Sequence, residues 1–314
     1  MLVAPALRTP QLWIPMSLRG GVSLRAGRRL VALAPAAPLA ADVTPRSEMI
    51  AVGSGRPDVR LVVYERPERE RPSGALVWIH GGGLVMGAPE GGEGLCSRLA
   101  AELGIVVVSV DYRLAPEHPF PAGLEDCYAA LEWVHDRAGE LGVDRGRVAV
   151  GGDSAGGGLA AALAQMAADR GGPAVCFQLL HYPMLDDRTT LRTGLDALVW
   201  TMRSNRWAWA AYLGHPPTVT EQRPYASASR RTDLGGLPPA WIGVGDIDLF
   251  HDECVDYAAR LRAAGVPCEL HVEPGMYHGA DQLMPAAPSM RAFLDRLVAA
   301  LGSAMSTAPR ESSG

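Results

Sequence analysis

The stretch GGDSAGGG, Gly151 to Gly158, follows the short apolar run RVAV and precedes an alanine-rich segment. A glycine-rich turn from strand to helix can cradle a phosphate with backbone amides, or it can expose one side chain as a nucleophile. The phosphate readings fail on residues. A Walker-type loop needs Lys and Ser/Thr after its glycines, where this chain has Gly158 and Leu159. Gly156-x-Gly158-x-x-Ala161 fits a dinucleotide pattern, and Asp186 or Asp187 follows at a plausible distance. That pattern belongs in the turn itself, however, and DSA pushes these glycines into the helix. Gly152-x-Ser154-x-Gly156 fits better as a nucleophile turn. A serine in strained backbone geometry needs neighbours without bulky Cβ substituents. At a helix N-terminus, the amide after it faces the place where an oxyanion would form.

Working outward, MIAVGS and VRLVVYER read as strands with no helix between them, hence an antiparallel edge. GALVWIHGGG and GIVVVSVDY are buried strands separated by EGLCSRLAAEL, which has helical spacing. A helix over Gly123–Arg137, the strand RVAVGGD, a helix over Ser154–Asp169 and the strand AVCFQLLHYP continue the alternation. AWIGVGD, a helix over Asp252–Ala264, CELHVEP and a closing helix over Ser289–Leu301 complete it. The fold class is α/β, a mostly parallel sheet of about eight strands covered by helices. Residues 188–225 break the alternation: Leu195, Leu198, Val199 and Met202 have helical spacing amid Trp200, Trp207, Trp209 and Tyr212. This aromatic insertion reads as a lid. The expected division is N-terminal cap helices over 1–45, a catalytic core over 46–187 and 226–301, a cap insertion over 188–225 and a disordered tail over 302–314.

Composition narrows the function. The chain has 314 residues, a formal net charge of −5 and no lysine, its 29 basic residues all being arginine. That excludes Schiff-base and Ser–Lys chemistry, and mild acidity gives no reason to expect nucleic acid as a partner. Cys96, Cys127, Cys176, Cys254 and Cys268 show no C-x-x-C spacing and read as free thiols in a reducing compartment. No cofactor and no metal are expected, since no H-E-x-x-H or Cys/His cluster occurs. No apolar run approaches the ~20 residues of a membrane span. RRLVALAPAAPLAAD loosely imitates a twin-arginine export signal, but Pro35 and Pro38 interrupt it. Short helices over the main domain and a cytoplasmic protein are the expectation.

A serine nucleophile needs donors, an acid and a base, here in the order Ser, Asp, His. HGGG, His80–Gly83, supplies amides without obstructing side chains. Of eight histidines, His278 alone lies after the last strand, in EPGMYHGAD. Asp248 and its rival Asp246 both lie in GVGDIDLFHDE, while Asp252 or Glu253 suits the start of the next helix. Spacing leaves Asp248 and Asp246 open.

With HGGG, DYRLAPEHPFPAGLEDCYAAL, GGDSAGGGLA, GDIDLFHDE and YHGAD in order, the chain resembles the hormone-sensitive-lipase-like branch (bacterial family IV) of the α/β-hydrolases over about residues 75–280. The resemblance implies Ser154 as nucleophile, Asp248 as acid, with Asp252 as the second aspartate of the segment, and His278 as base. It assigns the oxyanion donors to Gly82, Gly83 and Ala155. Leu84 and Met86 stand where an aromatic is frequent, which affects the acyl pocket. Leu84, Trp200, Trp207 and Tyr182 are candidate substrate contacts. The implied activity is carboxylesterase on a small-molecule ester of short to medium acyl chain, with amides, lactones and acetylated natural products as alternatives. A histidine base implies activity rising from mildly acidic pH to a neutral or alkaline plateau. Plant gibberellin receptors resemble the same family but lack the histidine, so a non-catalytic receptor is the alternative of another class. A homodimer is left open.

Overall fold

The computed structural model describes residues 3–13, 20–33, 37–52, 57–194 and 197–307. Leu195 of the lid pattern and residues 308–314 of the expected tail therefore lie outside the described residues.

Short 3-10 turns at Pro5–Leu7 and Pro10–Trp13 precede helix α1 (Gly21–Leu33). Strands β1 (Arg46–Ile50), β2 (Val59–Tyr64) and β3 (Ser73–Ile79) follow, then α2 (Glu93–Leu103), β4 (Val106–Asp111), α3 (Ala122–Asp136) and α4 (Ala138–Leu141). Next come β5 (Val143–Asp153), α5 (Ala155–Arg170), β6 (Phe177–His181), α6 (Met202–Leu213), β7 (Ala240–Gly245), α7 (His251–Ala263) and β8 (Cys268–Glu273). The short α8 (Ala280–Leu283) and the long α9 (Pro288–Thr307) close the chain.

The strands form one eight-stranded sheet in the order β1-β2-β4-β3-β5-β6-β7-β8. β1–β2 pair antiparallel, as expected for strands without an intervening helix, and β2–β4 also pair antiparallel. The other five pairings are parallel. Every residue of β3 and β7 is buried, as their unbroken apolar runs require of strands covered on both faces. Loops leaving the carboxyl ends of β3, β5, β7 and β8 consequently emerge along one edge, the usual place for a site in such a sheet.

Two expectations are corrected. The helical spacing of Leu195, Leu198, Val199 and Met202 does not make a helix over 197–201. Residues 197–201 run through bends, and α6 begins only after Thr201, whose side chain accepts from the Ser204 amide as an N-cap. Gly194, at φ 75°, already turns the chain away from helical geometry. The tail expected to be disordered from 302 is helical as far as Thr307, because Met305 is buried and extends the apolar face of α9. All five cysteines are free. Burial pushes the thiols of Cys96, Cys127 and Cys254 well above their ordinary value, as in inert core thiols.

Candidate active site

Ser154 sits at the junction of β5 and α5 with φ 56° and ψ −119°, a strained conformation for a residue with a Cβ. The surroundings explain both the strain and the adjacent glycines. Its amide donates to the His181 carbonyl at 2.9 Å, and its carbonyl accepts from Met184 at 2.9 Å. A Cβ on Gly156 would collide with the Ile79 and His80 backbone, and one on Gly152 with the Ile79 carbonyl. The turn can be this sharp only because strand β3 packs directly against those two glycines.

Ser154 Oγ lies 2.8 Å from His278 Nε2, and His278 Nδ1 lies 2.8 Å from Asp248 Oδ2. All three residues are buried. His278 stands in the loop between β8 and α8, held between the rings of Tyr182 (centroids 4.8 Å apart) and Phe250 (5.0 Å), both edge-on. Asp248 Oδ1 accepts from the Phe250 amide at 2.8 Å, leaving Oδ2 for the imidazole. Asp246, its rival, faces elsewhere: its Oδ1 accepts from the Gly275 amide at 2.6 Å. Asp252 forms a partly exposed ion pair with Arg192 at 2.7 Å. Glu253 is buried, accepting from the Leu185 amide at 2.6 Å and from Thr189, and burial pushes its carboxyl well above the usual range. It ties α7 to the chain leaving β6, beyond the helix-start role its position suggested.

Gly82 and Gly83 have φ of 114° and 63°, geometry that a side chain would oppose. The loop is braced from behind. His80 Nδ1 lies 2.8 Å from the Gly81 carbonyl, the His80 ring stacks on Tyr112 at 4.4 Å, and Tyr112 Oη donates to the His80 carbonyl at 2.9 Å. Burial lowers the affinity of His80 for a proton, so this brace is neutral. Ala155 is the first residue of α5, so its amide has no acceptor within the helix.

The candidate substrate contacts separate. Trp200 lies directly over Gly83, since any Cβ there would strike its indole ring. Its Nε1 is 3.3 Å from Asn205 Oδ1. Leu84, at φ 68°, lines a narrow cavity beside Ala155 with Met184, Trp209 and Tyr212. Trp207 is half-buried on α6 against the core. Tyr182 is 1 % exposed and carries φ 35°. Its ring backs His278 and its hydroxyl donates to Asp281 at 3.0 Å, so it supports the histidine and does not form an open wall. The neighbouring His181 Nε2 is 3.6 Å from Asp281, yet burial holds its pKa down to about 3, so that contact is no ion pair.

The N-terminal segment reaches the same edge. The Ala4 amide donates to the Gly275 carbonyl at 3.1 Å, and Tyr277 Oη donates to the Leu7 carbonyl at 3.1 Å. Arg28 on α1 donates to the carbonyls of Val85 (2.8 Å) and Ala115 (3.0 Å) and pairs bidentately with Glu117. No sequence signal marks these contacts, because each joins residues far apart along the chain.

Among the described residues, no group of three or more His, Cys, Asp or Glu could hold a metal, and no helix is long and apolar enough to cross a membrane.

Known proteins share this fold. A family profile described as alpha/beta hydrolase fold matches residues 76–282. Esterase LipI of Mycobacterium tuberculosis is 41% identical over 233 residues, 72% of this chain and 71% of that protein. Carboxylesterase NlhH of the same species is 40% identical over 256 residues, 80% of each. The solved structure of a bacterial heroin esterase superposes with a TM-score of 0.88 at 36% identity, covering 97% of this chain and 98% of that one. The chain belongs to the hormone-sensitive-lipase-like carboxylesterase branch of the α/β-hydrolases and is a carboxylic ester hydrolase.

Proposed function

We propose that the protein hydrolyses small, uncharged esters of short- to medium-chain acids through an acyl-enzyme on Ser154. The observation that carries this reading is the unbroken row Ser154 Oγ–His278 Nε2 at 2.8 Å and His278 Nδ1–Asp248 Oδ2 at 2.8 Å. Ser154 Oγ attacks the ester carbonyl while neutral His278 takes its proton at Nε2. Asp248 holds the tautomer that keeps the second proton on Nδ1, and it stabilises the imidazolium. The carbonyl electron pair moves onto oxygen, where the amides of Gly82, Gly83 and Ala155 receive it. As the intermediate collapses, the C–O bond to the alcohol breaks and His278 returns the proton to the leaving alkoxide. Water then repeats the sequence on the acyl-serine, with His278 again as base, and releases the acid.

Trp200 over Gly83 supports a lid role for residues 188–225. The contacts of Ala4, Leu7 and Arg28 support residues 1–45 as the other part of the cap. A non-catalytic receptor role is disfavoured by His278, which stands in hydrogen-bond contact with the serine. The test is to react the protein with a phosphonate ester and map the adduct by mass spectrometry. The adduct is expected on Ser154, and Ser154→Ala is expected to lose ~10⁴-fold or more in rate. An adduct elsewhere, or undiminished activity in that variant, overturns the reading.

A further inference from the structure

Beneath the row of Ser154, His278 and Asp248 runs a second chain of polar groups that the reaction above does not use; Asp153, Tyr182 and Asp281 are buried and Gln282 is exposed. Asp153 is the residue immediately before the nucleophile and is 9% exposed. Its Oδ1 accepts from the Gly81 amide at 3.0 Å, in the loop that carries Gly82 and Gly83. Its Oδ2 faces Gln282 Nε2 at 3.4 Å, on α8, four positions after His278. The same Gln282 nitrogen lies 3.3 Å from Tyr182 Oη, which donates to Asp281. The Tyr182 ring in turn backs the imidazole.

Asp153 and Asp281 are costly residues in this position. Among the described residues no arginine pairs with either. Burial and then the neighbouring Asp281 push Asp153 up to about 6, and burial does the same to Asp281. The other titratable groups that act on Asp153 are His278 from its loop, Tyr182 beyond β6, Tyr112 after β4 and Cys96 on α2. A core that only needed filling would be better served by an apolar or amide side chain. The arrangement makes sense for the site. The glycine loop, the serine and the histidine come from three separate loops, and errors of about 1 Å between such parts can cost ~10²-fold in rate.

We propose that Asp153 is a positioning residue of ester hydrolysis: by bridging Gly81 and Gln282 it holds the oxyanion loop and the histidine loop in register with the nucleophile. The inference rests on the reading of Ser154 and His278 given above.

The experiment compares Asp153→Ala, Asp153→Asn, Gln282→Ala and the double variant Asp153→Ala/Gln282→Ala. Rates on a p-nitrophenyl ester are expressed per site titrated with the phosphonate. Asp153→Ala is expected to lower kcat by ~30- to 100-fold with KM changed less than ~3-fold. Asp153→Asn, whose side-chain oxygen can still accept from Gly81, should recover most of that loss. Gln282→Ala should lose ~3- to 10-fold, and the double variant no more than Asp153→Ala alone, because both residues act in one chain. A kcat per titrated site within about twofold of the parent in Asp153→Ala, or losses that multiply in the double variant, overturns the proposal. Should Asp153→Ala fail to fold, an unchanged kcat per titrated site in Gln282→Ala overturns it equally. Absence of a Ser154 adduct in the parent protein would instead mark failure of the underlying reading.

Discussion

Arg28 Nε donates to the Val85 carbonyl at 2.8 Å, joining α1 to the chain two residues beyond Gly83. The same guanidinium grips the Ala115 carbonyl and Glu117, so one N-terminal side chain braces two loops at the mouth of the site. Arg28→Ala should therefore lower kcat/KM by ~3- to 30-fold while leaving the secondary structure intact, because loop placement is lost and no core contact is. Steady-state kinetics with circular dichroism as the fold control checks it. Unchanged kinetics would mean that the loop holds itself.

The two aspartates of GDID should separate sharply. Asp248→Asn keeps the shape but offers His278 Nδ1 no carboxylate, so kcat should fall by ~10⁴-fold, the loss typical of a wrong tautomer. Asp246→Asn only weakens the hydrogen bond to the Gly275 amide and should cost ~10-fold or less. Comparable losses in the two variants would contradict the assignment.

Trp200 covers Gly83. Trp200→Ala should open that side of the site. Turnover of bulky-acid esters should rise relative to acetate by ~3- to 10-fold, the order of discrimination that apolar contacts of a few carbon atoms supply. A panel of p-nitrophenyl esters of increasing acyl length measures it, and an unaltered preference would remove Trp200 from the lid.

Asp153 and Asp281 carry folded-state pKa values of about 6, above their ordinary carboxyl values. Their contribution to stability is fully present below the unfolded-state pKa near ~4 and is lost as pH rises through about 6. At pH 8 the ionised pair thus weighs against the fold. Asp153→Asn should raise Tm at pH 8 by roughly 1–4 °C and have a smaller effect at pH 5. Thermal denaturation at the two values decides it, and a lower Tm at pH 8 would contradict the burial argument. The same variant is expected to be slower, a trade of activity against stability of the kind found where strain serves a site.

Much of the architecture is readable from local pattern, because strands buried on both faces leave unbroken apolar runs and the connecting helices keep their own period. The convergence of Ser154, His278 and Asp248 is also readable, since loop position after each strand limits the choice. Deciding between Asp246 and Asp248 is harder, as both follow β7 and only the direction of each carboxylate separates them. The lid pattern misled because residues 197–201 run through bends in which Trp200 packs over Gly83 while Val199 is exposed, and the capping side chain of Thr201 starts the helix later. Asp153, Tyr182 and Arg28 carry no local mark of their tasks. Their partners lie 72, 99 and 57 positions away, at distances only the fold makes short.

The hydrogen bond from Tyr277 to Leu7 spans 270 positions of the chain. During synthesis the nucleophile turn and the glycine loop can assemble early, but the segment that steadies the base must wait, leaving residues 4–7 unpartnered until residues 275–277 emerge. The site thus cannot be completed before His278 has been synthesised. A ribosome-bound chain synthesised only as far as Pro274 would hold Ser154 with no histidine to activate it.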